Sequence, residues 1–495
     1  MTLNAVLPEV DKFLSKPTQL FIGGDWVDAR SKKTSDLENP ATESVLISVA
    51  DGAAEDVDLA VEAANRAFKT WRYESPITRA KLLYKLADLV EQKTEELAQI
   101  ITLDNGKPLI YSRHECNGAV NILRYFAGFA TKVEGRTAPV SAAPGGSFLN
   151  YTLRDPVGVC GLIVPWNFPL TMCIWKLAPA MAVGCTAVLK PAEQTPLIAV
   201  RLMQLFQEAG FPAGVVNLVT GSGRQVGEPL STHMNVQKVA FTGSTQVGKS
   251  IAQQATSNMK RVTLELGGKS PNIILPDADI EKAVEGAASA IFYNQGQVCT
   301  AGSRLYVHDS ILNEVLEKLT KKAQAMHIAN GLDESSTMGP LVSARQYATV
   351  NRYIERALED GAELITGGNR PEGFDKGYYL QPTIFLDRQE QACISKEEIF
   401  GPVLTVMSWS DTDELVERAN NSIYGLAAGI WTKDLAQAHR LAARVEAGSV
   451  WVNCYNVVDP VSPFGGYKQS GWGREMSHDV IDAYTETKNV CVNLL

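Results

Sequence analysis

Two short segments of this 495-residue chain carry residues that could together perform nucleophilic catalysis. Cys299 lies in the run FYNQGQVCTAGSR, and Glu265 lies upstream of it in VTLELGGKSP. A thiol can attack an electrophilic carbon, and a carboxylate can activate the water that releases the captured group. A single cysteine is more often a small buried hydrophobic residue. The glycines and amides around Cys299, together with the carboxylate, favour the catalytic interpretation.

Two further turns carry polar side chains that could act beside such a thiol. Asn167 stands between Trp166 and Phe168 in VPWNFPL, at the end of a predicted strand. Its amide could donate to a developing oxyanion, a contribution of about 3 kcal/mol to the barrier. Glu398 precedes Phe400 in EEIFGPV and could orient a ligand hydroxyl. The alternatives are an asparagine that caps a turn between two prolines and a solvated acidic turn.

Glycine turns after predicted strands indicate a site where the backbone approaches phosphate. Gly223 and Gly227 lie in VTGSGRQVG, and Gly243 and Ser244 lie in FTGSTQVGKS. Neither run is the GxGxxG fingerprint of dinucleotide-binding proteins, so ordinary turns of an α/β protein stay the alternative.

Lys190 and Glu193 end another predicted strand in the run KPAE. A carboxylate at the carboxyl end of a strand could hold ribose hydroxyls, and the lysine could do the same or neutralise phosphate. The alternative is a solvated turn.

The elements that must position these residues follow from hydrophobic periodicity. Apolar residues at three- and four-residue steps predict long helices at 55–71, 77–103 and 113–133. Apolar runs that alternate with helices predict two series of strands. The first series is 157–164, 186–190, 215–219, 236–242 and 261–266; the second is 271–275, 303–308, 378–386, 403–409, 427–432 and 448–453. Such alternation predicts an α/β protein with a doubly wound, Rossmann-like core, although a purely structural α/β layer has the same pattern.

Composition narrows the classes of function. Charged residues make up 20% of the chain and the net charge is −9, which disfavours nucleic acid and anionic membranes as partners. The N-terminal run MTLNAVLPEVDKF has no signal-peptide pattern, and the eight cysteines form no CxxC pair. We therefore expect a cytoplasmic protein. No HExxH run or cluster of histidines suggests a metal site.

Seven motifs, in order, resemble those of the aldehyde dehydrogenase superfamily over the whole chain. They are PWNFP, KPAEQTP, FTGSTQVG, LELGGKSP, GQVCTAGSR, EEIFGPV and PFGGYKQSG. The resemblance implies that Cys299 attacks an aldehyde to form a thiohemiacetal, and that Asn167 and the Cys299 N–H hold the oxyanion. Hydride loss to NAD would leave a thioester, which Glu265 would hydrolyse by activating water. Coenzyme A-dependent relatives lack this glutamate, so water is the expected acceptor.

The resemblance also implies a cofactor site. NAD is expected in preference to NADP, because Glu193 would repel a 2′-phosphate, while Lys190 leaves weaker NADP use open. The implied cofactor-binding residues are Ile163, Val164, Trp166, Lys190, Glu193, Gly223, Gly227, Phe241, Gly243, Ser244, Gln346, Glu398 and Phe400.

Three folding units follow from the same resemblance. A Rossmann-like cofactor domain is expected at 1–135 and 157–267, and a second α/β catalytic domain at 268–468. A small bridging oligomerisation sheet would use 136–156 and 469–495. The alternating tail YTETKNVCVNL is typical of an edge strand, which favours a homo-oligomer, with a tetramer expected before a dimer.

Aromatic residues dominate the positions expected to line the substrate tunnel. These positions are Phe168, Trp175, Phe292, Tyr293, Val298, Thr300, Tyr455, Asn456, Val458 and Phe464. They include no Arg or Lys to pair with an acidic substrate, and Asn456 stands where many relatives have Asp. A neutral aromatic or medium-chain aldehyde therefore fits best. The chain is most similar to phenylacetaldehyde dehydrogenases, which favours an aromatic aldehyde such as phenylacetaldehyde. The alternatives are a broad-specificity aliphatic or betaine-type aldehyde dehydrogenase and, from another class, a Cys-dependent esterase or hydrolase. No His near the motifs supplies the base for that last class.

Overall fold

The computed structural model describes residues 5–141 and 147–494. Residues 142–146, within the Pro/Gly-rich connection of the predicted bridging segment, lie outside the described residues. The helices are α1 Pro8–Leu14, α2 Ala54–Trp71, α3 Pro76–Gln92, α4 Thr94–Asn105, α5 Leu109–Phe129, α6 Pro169–Val183, α7 Leu197–Ala209, α8 Glu228–Thr232, α9 Thr245–Ala255, α10 Ile280–Phe292, α11 Leu312–Gln324, α12 Ala344–Glu359, α13 Cys393–Lys396, α14 Thr412–Asn420, α15 Leu435–Arg444 and α16 Val480–Tyr484.

The strands are β1 Leu20–Ile22, β2 Asp25–Val27, β3 Thr34–Asn39, β4 Ser44–Ala50, β5 Phe148–Pro156, β6 Val159–Ile163, β7 Thr186–Lys190, β8 Val216–Leu218, β9 Lys238–Thr242, β10 Arg261–Glu265, β11 Pro271–Ile274, β12 Arg304–His308, β13 Glu363–Thr366, β14 Thr383–Leu386, β15 Val403–Trp409, β16 Ala427–Trp431, β17 Ser449–Val452, β18 Gly471–Trp472 and β19 Thr485–Asn493. None of the helices in the described ranges is both long enough and apolar enough to cross a bilayer.

An eight-stranded sheet has the order β18-β10-β9-β6-β7-β8-β1-β2, and its five central strands, β6 to β10, are parallel. Strand β6 shows why these segments are continuously apolar. Cys160 and Leu162 face a core formed with helices α3 to α7, whereas Val159 and Ile163 face the core on the side of α2. Successive residues of a strand point to opposite faces, so a sheet covered on both faces needs apolar residues at every position.

The chain order reverses at β6, because β7 lies on one side of it and β9 on the other. In a doubly wound sheet this reversal opens a crevice at the carboxyl ends of the strands. The Asn167 turn follows β6, Gly243 follows β9 and Glu265 ends β10. The predicted Rossmann-like core is therefore confirmed, and its topology places three of the predicted motifs at one edge.

A second sheet has the order β13-β14-β15-β12-β11-β16-β17 and is parallel except for β13. Helices α10 and α11 cover one face, and α14 and α15 cover the other. Strands β5 and β19 form a separate antiparallel pair over nine residues each, and β19 lies in the alternating tail that was predicted to be an edge strand. The domain boundaries remain a prediction; β18, within the segment assigned to the bridging sheet, pairs with β10 of the first sheet.

Three details of the predicted elements were wrong. The single helix predicted at 77–103 is two helices, because Lys93 leaves helical geometry (φ −107°, ψ 18°) and the Thr94 hydroxyl bonds the carbonyls before it. The strand predicted at 378–386 is confined to β14. Residues 20–50, for which no element was predicted, form two hairpins: β1 with β2, of three residues each, and the polar β3 with the apolar β4.

Candidate active site

A cavity of about 760 Å³ opens at the carboxyl ends of the first sheet and extends between the two sheets. It brings Cys299, Glu265 and Asn167 together with many of the other predicted site residues. Those lining it are Trp166, Phe168, Trp175, Gly243, Ser244, Tyr293, Val298, Thr300, Gln346, Glu398, Phe400, Asn456, Val458 and Phe464. Its volume is that of a site for a small organic ligand.

The turn before Cys299 has an unusual backbone. Asn294, Gln295 and Gly296 all have positive φ, at 48°, 57° and 69°. A side chain at Gly296 would place its Cβ 2.1 Å from the carbonyl oxygen of Gly401, so only glycine fits there. Such strained residues persist only where neighbouring groups hold them, and they are frequent at functional sites.

Side-chain amides supply the groups that hold this turn. Gln295 Nε2 donates to the Pro340 carbonyl oxygen at 2.8 Å, and Gln297 Oε1 accepts the Val342 N–H at 3.0 Å. The amide-rich run YNQGQ therefore ties the loop that carries Cys299 to the segment before α12, and this contact holds Cys299 in place.

Asn167 is joined to the same turn by hydrogen bonds in both directions. Its Nδ2 donates to the Gln297 carbonyl oxygen at 3.0 Å, and its own carbonyl oxygen accepts from Asn294 Nδ2 at 3.0 Å. A side-chain amide has two N–H donors, so the bond to Gln297 orients the amide and leaves the second donor for a ligand. Asn167 is 4% exposed, so little water competes for the N–H groups of its side-chain amide.

The Cys299 thiol is partly buried at the floor of the cavity. Burial raises the pKa of this thiol to about 12, and the nearby carboxylates of Glu398 and Glu265 act in the same direction. The thiol is therefore neutral at rest, and its proton must leave as the nucleophile forms.

Glu265 is 3% exposed at the end of β10, and neither carboxyl oxygen has a hydrogen-bond partner among the described residues. Burial raises its pKa well above the ordinary value, and the charge of Glu475 raises it further. Lys176 opposes this shift and lies 2.6 Å from Glu475 in a buried ion pair. An unpaired carboxyl with a raised pKa in a cavity has the properties of a general base.

Aromatic rings form the walls of the tunnel that leads to Cys299. The rings of Phe168 and Tyr293 stack with centroids 6.0 Å apart, and those of Trp175 and Phe464 meet edge to face at 4.9 Å. Thr300 Oγ1 donates to Asn456 Oδ1 at 2.8 Å, which pairs the polar groups beside the thiol. The tunnel is therefore mainly apolar where a substrate would lie.

At the other end of the cavity, Glu398 Oε1 accepts the Gly268 N–H at 3.0 Å. Burial raises the pKa of this carboxyl to about 7. Phe400 has a positive φ of 59°, and Gln346 Nε2 supports the turn by donating to the Phe400 carbonyl oxygen at 2.9 Å. The Phe400 ring meets Trp166 edge to face at 5.1 Å, so two aromatic rings border this end.

Several predicted cofactor residues lie beyond the cavity wall, around the carboxyl ends of β6 to β9. These are Ile163, Val164, Lys190, Glu193, Gly223, Gly227 and Phe241. Glu193 Oε1 accepts the Gly223 N–H at 2.8 Å, which fixes the carboxylate at this edge. Burial lowers the pKa of Lys190 to about 8, and Glu193 partly opposes that shift.

Two residues named for the tunnel are elsewhere. Phe292 ends α10 and is 1% exposed in the core of the second sheet, because its side chain faces that sheet. Tyr455 supports the tunnel floor by donating its hydroxyl to the Thr300 carbonyl oxygen at 2.8 Å.

Several cavity residues on helices α5 and α6 and around the start of α12 were not predicted from the sequence. They are His114, Glu115, Gly118, Thr171, Met172, Ser343, Arg345 and Thr349, with Pro165, Gln194, Thr242, Leu266 and Gly267 at the strand ends. Helical spacing could have grouped His114, Glu115 and Gly118 on one side of α5, but nothing local showed that this side faces a cavity. Arg345 lines the cavity with Gln346 and Thr349, so the cavity as a whole is not free of cations.

Comparison with known proteins identifies the chain. The model of the aldehyde dehydrogenase family matches residues 26–490. The chain belongs to this family. A phenylacetaldehyde dehydrogenase of Pseudomonas fluorescens is 48% identical, with 99% of each chain covered. The mitochondrial aldehyde dehydrogenase of Homo sapiens is 49% identical over 96% of this chain and 92% of its own. The NAD+ complex of an aldehyde dehydrogenase from Bacillus cereus has a TM-score of 0.97 at 48% identity, with both chains covered completely.

This aldehyde dehydrogenase uses NAD, and the residues at the sheet edge fit that cofactor. Ser244 caps α9 by accepting the Val247 N–H, and the same residue lines the cavity. The amino end of α9 therefore faces the cavity. A helix amino end attracts phosphate. A Cβ on Gly243 would lie 2.5 Å from the Phe241 ring, so the backbone stays bare where a pyrophosphate would approach.

Proposed function

We propose that this NAD-dependent enzyme oxidises a neutral aromatic aldehyde such as phenylacetaldehyde to its carboxylic acid. The observation that carries the proposal is the tunnel wall, in which the stacked pair Phe168–Tyr293 and the edge-to-face pair Trp175–Phe464 surround the route to Cys299. A phenyl ring gains stacked and edge contacts there that a short aliphatic chain cannot make. The similarity to a phenylacetaldehyde dehydrogenase agrees with this choice.

We assign the chemistry to Cys299, Asn167 and Glu265. The Cys299 sulfur attacks the aldehyde carbon as its proton passes to solvent water, and the free N–H of the Asn167 amide stabilises the oxyanion. Bound NAD supplies a hydride acceptor. After hydride loss the carbonyl reforms as a thioester on Cys299. Glu265 then takes a proton from water, whose oxygen attacks the acyl carbon and expels the thiolate, giving the carboxylic acid.

The raised pKa of Glu265 suits this order of events. A neutral carboxyl does not repel the sulfur while it becomes negative, because like charges close together in a buried site are costly. The unpartnered oxygens of Glu265 are also free to bind the water used later. We infer that Glu265 loses its proton to solvent only after the thioester has removed the negative charge of the sulfur, and then acts as the base for the attacking water.

The aliphatic and betaine-type alternatives make different demands on the tunnel. A quaternary ammonium needs a carboxylate or an aromatic cage. The carboxylate of Glu115 lines the cavity, but the Lys107 ammonium lies 2.6 Å from it and neutralises its charge. Asn456 is neutral and already accepts from Thr300. The aromatic walls suit both kinds of substrate, so the choice of a neutral aldehyde rests on the ion pair of Glu115 and on the neutral Asn456 beside the thiol.

The esterase alternative needs a base for Cys299 without a role for NAD. Among the histidines in the described ranges, His114 lines the cavity, and it lies exposed on α5. Glu265 is the buried base, as in the dehydrogenase mechanism. We therefore keep ester hydrolysis as a side reaction of the same thiol.

We further propose a homo-oligomer, with a tetramer favoured over a dimer. Leu149 and Leu153 of β5 and Val492 of β19 are exposed on the antiparallel pair, which favours burial against another subunit. The cytoplasmic location, the weaker use of NADP and the domain boundaries 1–135 with 157–267, 268–468, and 136–156 with 469–495 stay predictions.

A panel of aldehydes tests the substrate. The purified enzyme is assayed by NADH formation with phenylacetaldehyde, acetaldehyde, hexanal and betaine aldehyde. We expect the highest kcat/KM with phenylacetaldehyde. A higher kcat/KM with a short aliphatic aldehyde contradicts the aromatic specialisation but not the dehydrogenase activity. Esterase activity without any NADH formation would instead support the alternative class.

A further inference from the structure

A buried ion pair is hydrogen-bonded to the segment that carries Asn167. Lys107 Nζ lies 2.6 Å from Glu115 Oε2 and donates to the carbonyl oxygen of Asn167 at 2.7 Å. The other carboxylate oxygen, Glu115 Oε1, accepts the N–H groups of Leu170 at 2.8 Å and Thr171 at 3.0 Å. The two charged side chains therefore hold both ends of residues 167–171.

The pair also touches the substrate tunnel through Phe168. The Lys107 ammonium lies 4.3 Å from the centroid of the Phe168 ring, a cation–π contact. Phe168 lines the tunnel beside Tyr293. One lysine thus contacts the backbone of the oxyanion residue and the side chain of a tunnel residue.

Stability alone does not explain these charges. The Lys107 and Glu115 side chains are 0% and 1% exposed, and desolvation offsets much of the attraction in a buried ion pair. Apolar residues of similar size often stabilise a fold as well. What the charged pair adds is direction, because its short bonds fix the positions of the backbone groups that they reach.

Direction matters for Asn167. Its backbone carbonyl is held by Lys107 and by Asn294, and its amide by the Gln297 carbonyl oxygen. Removing one oxyanion donor costs on the order of 10²–10³ in rate, and a displaced donor loses part of that effect. Loss of Lys107 removes one of the two hydrogen bonds to the Asn167 carbonyl oxygen, while the Asn167 side chain stays present.

The geometry points to Lys107 and Glu115 as a positioning pair for the oxyanion donor Asn167. Lys107 fixes the Asn167 backbone, and Glu115 fixes Lys107 and the first turn of α6. Neither residue is assigned contact with the reacting atoms. This inference rests on the proposed role of Asn167.

A double-mutant cycle between Lys107→Met and Asn167→Ala tests the pair. The measurements are kcat and KM for phenylacetaldehyde, NAD affinity by fluorescence, and Tm. We expect Lys107→Met alone to lower kcat/KM by roughly tenfold or more, mainly in kcat, with NAD affinity unchanged. In the Asn167→Ala background the same substitution should change kcat/KM by less than about threefold, because the donor it positions is gone.

Arg201→Met is the matched control. Arg201 lies 2.6 Å from Glu96 in another largely buried ion pair, which joins α4 to α7 away from the cavity. This variant should lower Tm like Lys107→Met yet keep kcat/KM within about twofold. Glu115→Gln, which keeps the shape and one acceptor, provides a second cycle with a smaller loss and decides the matter if Lys107→Met does not fold.

Each outcome discriminates. Equal losses of kcat/KM in both Asn167 backgrounds, or unchanged kcat/KM in Lys107→Met, overturn the positioning role and leave the proposed role of Asn167 intact. Unchanged kcat/KM in Asn167→Ala alone overturns the oxyanion assignment itself, and the positioning pair with it.

Discussion

Gly118 offers a direct way to test the width of the substrate tunnel. It lies in the middle of α5 and lines the cavity one turn after His114. A Cβ built at this position meets no atom within 4 Å, so a larger side chain would project into the open tunnel rather than into the protein. We predict that Gly118→Leu selectively lowers activity with phenylacetaldehyde.

The size of the effect can be worked out from the cost of overpacking. A leucine that crowds the bound aromatic ring costs about 1–3 kcal/mol, which corresponds to roughly a 5- to 150-fold lower kcat/KM for the aromatic substrate. Acetaldehyde needs less room and should keep its kcat/KM within about twofold. The fold itself should gain about 0.8 kcal/mol, because glycine is a poor helix former and leucine a good one.

The assay compares kcat/KM for the two aldehydes in Gly118→Leu, Gly118→Ala and the unchanged enzyme, with Tm measured for each. Gly118→Ala is the matched control, since it gives the same gain in helix stability but adds only a methyl group. Equal losses with both aldehydes, or an unchanged rate with phenylacetaldehyde, would show that α5 does not limit the tunnel. A lower Tm in the leucine variant would show that the space beside Gly118 is too small for the side chain.

Three further predictions concern the catalytic and cofactor groups. Cys299→Ala should abolish NADH formation. Glu265→Gln should leave a rapid first turnover, seen by stopped-flow absorbance, and slow the steady state by roughly 10²-fold or more. An unchanged steady-state rate rules out Glu265 as the base. Glu193→Gln removes a charge that repels a 2′-phosphate, worth about 1 kcal/mol or more, so kcat/KM with NADP should rise at least about fivefold; no rise would mean that Glu193 does not select the cofactor. A base acts only when ionised, so the raised pKa of Glu265 should make kcat increase with pH above the range in which an ordinary glutamate titrates. Glu475→Gln should move that increase to lower pH, and a profile unmoved by the substitution contradicts the coupling.

The sequence by itself determined the catalytic pattern and the class of the fold. Cys299, Asn167 and Glu265 each sit in a short local run whose glycines, prolines and amides belong to one turn or strand end, and such runs can be recognised without neighbours. Continuous apolar strands between helices also required a covered parallel sheet, because both faces of each strand are buried.

Only the tertiary structure decided what these segments meet. The Asn167 amide binds the Gln297 carbonyl oxygen, Lys107 donates to the Asn167 carbonyl oxygen, and Glu115 accepts the Leu170 N–H. Helical periodicity identifies which side of α5 is buried, but it does not show whether that side faces a core or a tunnel, so Gly118 had no local signal. The pKa of Glu265 likewise depends on burial and on the charge of Glu475, which follow from packing between segments far apart in the chain.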